Sequence, residues 1–211
     1  MPLRLASFHS ATWDYILYSE GFLAPVQNGF NDEVSPFISI DELIKHKTLD
    51  PAYLSIPDYV ESMLGNKNID DALVTPLELA DDLENDGNRA LKLVEDLQLR
   101  AGREVNTLNC EIADVQAWAG LSLYFADKLR AGVELETFRQ TKAGEQKTKA
   151  VLLLENAAQH WKEIVEVTQQ HYNAIPAVQL SGLKQKHKAV FSWKQYSDQV
   201  KRDIQIAEAA R

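Results

Sequence analysis

The stretch Leu108 to Val133, LNCEIADVQAWAGLSLYFADKLRAGV, decides the fold. Leu108, Ile112, Val115, Ala119, Ser122, Ala126, Leu129 and Val133 recur in steps of four and three, which keeps one stripe of a helix facing a partner. Trp118, Leu121 and Phe125 widen that stripe. Neither the alternating pattern of a half-buried strand nor a strand-length run bounded by turns fits a segment this long. The lone cysteine, Cys110, shares the stretch with Leu108, Ile112 and Val115, and is expected to be a small buried hydrophobe rather than a reactive thiol.

The same periodicity extends in both directions. Downstream, after Ala143-Gly144, the residues Val151, Leu154, Ala158, Trp161, Val165, Thr168 and Tyr172 predict a second long helix that stops before Pro176. Upstream, Thr75-Pro76-Leu77-Glu78 places an N-cap, a first-turn proline and a reciprocal glutamate in order. That start signal leads into Ala80, Leu83, Gly87, Ala90, Leu91, Val94 and Leu97, a helix running to Gly102. A polar link containing Lys184, Lys186, His187 and Lys188 precedes Ser192-Trp193-Lys194-Gln195, read as the cap of a last helix carrying Val200, Ile204 and Ala207. Links of a few residues make neighbouring helices antiparallel. Residues 75–211 are therefore expected to form an antiparallel bundle of about four long helices, and the fold class is all-α.

Residues 1–74 have a different texture, with Pro2, Pro25, Pro36, Pro51 and Pro57 among them. Trp13, Ile16 and Leu17 at helical spacing predict a short helix over His9–Glu20, stopped by Gly21. Asn28-Gly29 and Asn31-Asp32 predict turns in the following loop. Ser39 with Glu42 forms a capping box, and Ser55 before Pro57 opens a helix that ends at Gly65. This first region is expected to be short helices joined by ordered loops, docking onto a partner domain.

Lys and Arg number 22 against 31 Asp and Glu, a formal charge of −9 that repels phosphate backbones and anionic lipid surfaces. Nucleic acid is an unsuitable partner on that ground. No stretch approaches the roughly 20 apolar residues that span a bilayer, and the first residues carry no signal-peptide run. No zinc-protease, phosphate-loop, paired-cysteine or serine-hydrolase motif occurs, so no catalytic residue, cofactor or metal is expected. His160 and His171 stand on one helix face, but at 1.5 Å per residue they lie about 16 Å apart and cannot share an ion. A small helical enzyme using His160 and Glu163 is the weakest of the function classes considered.

Ligand-binding candidates come from the first region. Trp13 and Tyr18 present flat faces on which sugar rings stack, and also suit a core. Asp32 and Glu33 stand in the turn-rich loop, where they either face a ligand or solvate a turn. Trp118 and Trp161 fall on apolar stripes and read as core.

Several segments read together resemble a family. These are Ala6-Ser7-Phe8-His9-Ser10-Ala11-Thr12-Trp13-Asp14-Tyr15, Asp114-Val115-Gln116-Ala117-Trp118, Gly120 to Gly132, Phe191-Ser192-Trp193, and Val200 to Ile204. They look like the helical C-terminal region of large polysaccharide-acting proteins of the Bacteroidetes type, in which an α-glucuronidase-like N-terminal part and a barrel come first. A (β/α)₈ barrel needs about 250 residues and does not fit beside this bundle. The resemblance implies a non-catalytic accessory portion, with a catalytic barrel domain and a glycan substrate as partners and a periplasmic or extracellular place. The alternative, from another class, is a free-standing bundle for protein–protein interaction or self-association, with a cytoplasmic place.

Overall fold

The computed structural model describes residues 37–45, 47–48, 50–101, 108–172, 175–176 and 190–211. They form helices α1 (Ile40–Lys45), α2 (Ile56–Leu64), α3 (Pro76–Ala101), α4 (Asn109–Thr141), α5 (Gly144–His171) and α6 (Ser197–Ala209), with a 3-10 turn at Trp193–Tyr196 leading into α6. The all-α class stands as the sequence predicts. Among the described residues, extended pairing is confined to β1 (Ile175–Pro176) against β2 (Val190–Phe191), antiparallel, and one bridge between Tyr53 and Val74. The helix expected over His9–Glu20, the turns up to Pro36 and the Lys184–Lys188 cluster lie outside the described residues.

Helix starts follow from local chemistry. At Thr75 both the backbone amide and the hydroxyl donate to Glu78 Oε2 at 2.8 Å, and the Glu78 amide donates back to Thr75 Oγ1 at 3.2 Å. Ser39 and Glu42 repeat the arrangement at 2.7, 2.8 and 3.2 Å. Each box occupies amides that no earlier turn can accept, which stabilises a start by about 1 kcal/mol. Ser55 accepts from the Asp58 amide, Pro57 stands in the first turn of α2, and Gly65 closes it. The cap expected at Ser192 does not form: Ser192 makes no side-chain cap bond, the 3-10 turn intervenes, and α6 opens at Ser197.

Three long helices pack side by side with α4 in the middle. Ser122 Oγ donates to the Leu83 carbonyl and Arg130 reaches Asp81, so rising numbers in α3 meet falling numbers in α4. Asp127 faces His160, while Tyr172 Oη donates to the Cys110 carbonyl, so α4 and α5 also run antiparallel. Lys147 Nζ donates to the Ala210 carbonyl and Trp161 Nε1 to that of Trp193, which lays α6 antiparallel on α5. Close approach depends on missing side chains. A Cβ at Gly120 would meet Ile164 Cγ1 at 2.7 Å, and one at Gly87 would lie 3.1 Å from the Ala119 carbonyl oxygen.

The second half of α4 is buried on nearly every side. Leu121 to Ala126, Lys128, Leu129, Ala131 to Val133 and Leu135 are all buried. A one-sided stripe is the sequence expectation; a helix apolar all round is instead one that neighbours enclose. α1 and α2 supply the further wall, since Ile40, Leu43, Ile44, Ile56, Tyr59 and Val60 join the same core as Leu129 and Val133. A Cβ at Gly132 would meet Ile56 Cδ1 at 2.9 Å, which shows how closely that wall sits. The first half of α4 departs from expectation in the other direction. Cys110 is exposed rather than buried, and so are Leu108 and Val115, because the buried face there runs through Ile112, Ala113 and Ala117.

Candidate functional site

The binding residues expected from sequence, Trp13, Tyr18, Asp32 and Glu33, lie outside the described residues. Within the described residues the chemistry-bearing side chains gather in two places on α4: one inside the core, one on its surface.

The interior site is built around Lys128. It follows Phe125 by three residues and precedes Gly132 by four, so helical spacing carries it into the core with them. Its side chain is wholly buried. Nζ lies 2.7 Å from Asp203 Oδ2 on α6, donates to Tyr124 Oη at 2.8 Å, and donates to the Ile38 carbonyl. Nζ thus makes two hydrogen bonds and one close ion-pair contact with oxygens. Asp203, itself buried, accepts the Ile40 amide on Oδ1 at 2.8 Å and so caps the start of α1 from a distant helix. Nζ also sits 4.3 Å from the centroid of the Phe37 ring. Burial pushes the Lys128 ammonium below the ordinary lysine range, and the Asp203 carboxylate works against that shift.

Aromatic rings enclose the pair. Trp161 packs edge-on to Phe37 at 6.2 Å and to Trp193 at 5.5 Å, and stands 5.0 Å from Tyr124. Tyr196 stacks on Phe37 at 6.4 Å. Such pairs contribute about 0.5–1.5 kcal/mol each beyond burial. Trp161 is core, as its stripe predicts, and Trp118 packs partly buried against the same cluster.

The surface site runs across α3, α4 and α5. Arg130 contacts Asp81 Oδ1 at 2.7 Å and Glu84 Oε2 at 2.6 Å, with Asp127 at 3.8 Å. Asp127 then faces His160 Nε2 at 3.5 Å, and His160 Nδ1 faces Glu163 Oε2 at 3.5 Å. Hydrogen bonding to Asp127 raises the His160 pKa, burial opposes it, and Glu163 adds to the rise. The imidazole thus lies between Asp127 of α4 and Glu163 of its own helix, a link across the α4–α5 contact. Among the described residues no three His, Cys, Asp or Glu side chains converge to hold a metal ion. His171 is exposed.

Beyond these, apolar side chains stand in solvent where α3 ends and α4 begins. Leu93 is 60% exposed and Leu99 78%, with Leu97, Leu108 and Val115 also uncovered. No helix among the described residues is long and apolar enough to cross a membrane.

Comparison adds no relative. No family model, no curated protein and no solved structure matches the chain.

The interior pair was missed in the sequence, although a signal exists. Asp203 falls between Val200 and Ala207 at helical spacing, and Lys128 falls between Phe125 and Gly132; a charge on an apolar stripe asks for a partner. His160 and Glu163 share one helix and were visible together. Asp127, on another helix, was not.

Proposed function

We propose that the chain is a non-catalytic helical scaffold, the accessory portion of a glycan-degrading protein that supports a catalytic barrel. The observation carrying the non-catalytic part is that the strongest chemical groups are turned on one another. The Lys128 ammonium has three oxygen partners within the core, and both ring nitrogens of His160 face carboxylates, Asp127 and Glu163. Neither is left to attack, or take a proton from, a substrate. The glycan context is supported by the resemblance of the Ala6–Tyr15, Asp114–Trp118 and Gly120–Gly132 segments to the helical regions that follow such barrels. The DNA upstream of Met1 tests this. An in-frame barrel, expressed separately, is expected to bind the chain in isothermal titration calorimetry. A stop codon directly upstream, with no barrel encoded nearby, would sink it.

One observation favours a second reading, a bundle that binds a protein partner or itself. Leu93, Leu97, Leu99, Leu108 and Val115 are exposed at one end of the α3–α4 pair, and apolar side chains gathered in solvent mark contact sites more often than chance. Sedimentation of the chain with Leu93 and Leu97 changed to Glu, against the unchanged chain, separates the two. A monomer in both cases removes self-association.

A further inference from the structure

The Lys128 site joins parts of the chain that no local contact connects. Its acceptors come from the segment before α1, through the Ile38 carbonyl, and from α6, through Asp203. Asp203 in turn holds the first amide of α1. Phe37 completes the arrangement, stacked on Tyr196 just before α6 and lying against the Lys128 ammonium. If α6 leaves, Lys128 loses its carboxylate, and α1 loses the acceptor for Ile40. If residues 37–45 leave, Lys128 loses the Ile38 oxygen, and water reaches the pair from the Phe37 side. Each departure removes what holds the other in place.

We infer that residues 37–45 and α6 form one conformational latch, locked by the Lys128–Asp203 pair, which opens as a unit from the α3–α4–α5 bundle. Contacts within the bundle do not pass through the pair: Ser122 to Leu83, Gly120 against Ile164 and the Arg130 bridges all lie elsewhere. The α3–α4–α5 contacts therefore persist while the latch is open, and the opening uncovers the faces of α4 and α5 that Ile40, Ile44 and Phe37 cover at Gly132 and Trp161. This inference goes beyond the scaffold reading and does not depend on a glycan or a barrel.

Native-state amide hydrogen exchange on the full chain tests it. In the unchanged protein at low urea, the amides of residues 40–45 and 197–209 should converge on one opening free energy and one urea dependence. Both should lie below those of the α4 and α5 centres. In Asp203→Asn, which keeps the shape and removes the charge, both segments should exchange at least about a hundredfold faster, while the α4 and α5 centres keep their protection. Acceleration of one segment without the other overturns the latch. So does exchange of both segments only together with α4 and α5. Should Asp203→Asn fail to fold, the unchanged protein alone still decides, because two separate urea dependences for the segments refute a shared opening.

Discussion

Replacing Asp203 with Ala leaves a charged amine in the core. Lys128 would keep Tyr124 Oη and the Ile38 carbonyl but lose the Asp203 carboxylate at 2.7 Å, and the Ile40 amide would lose its acceptor. Removing one partner of a buried pair costs about 3–5 kcal/mol. A ceiling follows from the amine itself, since Lys128 can stay buried by giving up its proton. From an ordinary pKa of about 10.4, neutralising it at pH 7 costs about 1.36 kcal/mol for each of roughly 3.4 units, or about 5 kcal/mol. The loss at pH 7 is therefore expected near 3–5 kcal/mol, read as a shift of the urea midpoint by far-UV circular dichroism. The pH dependence identifies the cause. With its folded pKa below the unfolded one, Lys128 binds fewer protons folded than unfolded, so stability rises with pH. Asp203 opposes the lowering, so its loss takes the folded Lys128 pKa lower still, and the deficit of Asp203→Ala should shrink as pH rises from the variant's folded pKa to that of the unchanged protein, then stay level. A second change, Lys128→Met, should recover most of the loss, because an apolar side chain needs no partner. A deficit under about 1 kcal/mol, far below the range for an orphaned buried charge, refutes the reasoning. So does a deficit that shrinks nowhere below about pH 10.4.

Three further outcomes are expected. The His160 pKa is raised in the folded chain, so its contribution is fully present below about pH 6.5 and fades as pH rises through the folded value; the urea midpoint should fall across that window, and His160→Gln should flatten the fall. Gly120→Ala places a methyl 2.7 Å from Ile164 Cγ1, and overpacking of about 1–3 kcal/mol outweighs the helix gain of about 1 kcal/mol, whereas Gly144→Ala enters open space and should be neutral or stabilising in the same thermal melts. Cys110 is exposed, so a thiol reagent such as Ellman's should label the folded chain to full stoichiometry without denaturant.

What the sequence made legible is what local rules govern. Thr75 with Glu78 and Ser39 with Glu42 close their boxes within four residues, and each helix begins where its box predicts. The long periodic stretches, too long for strands, gave the all-α class. Features that depend on partners distant in the chain were not legible. The one-sided stripe on α4 could not show that α1 and α2 also cover it, because Ile40 and Ile56 lie far upstream. Apolar neighbours at helical spacing do not bury Cys110, because at that end of α4 the buried face turns to Ile112 and Ala113. The Lys128–Asp203 contact joins two helices whose patterns each look complete alone, and only the unmatched charge in each stripe hints at it. The expected ligand residues Trp13, Tyr18, Asp32 and Glu33 fall outside the described residues.

We propose that this chain supports chemistry without performing it. Turnover of an aldobiouronic acid or a glucuronoxylan by the purified chain, followed by release of reducing sugar or free uronic acid, tests that claim most directly. No turnover above the buffer rate is the result expected. Turnover that persists through purification and disappears in His160→Ala or Glu163→Ala would contradict the account and place a catalytic site on the face where His160 links α4 and α5.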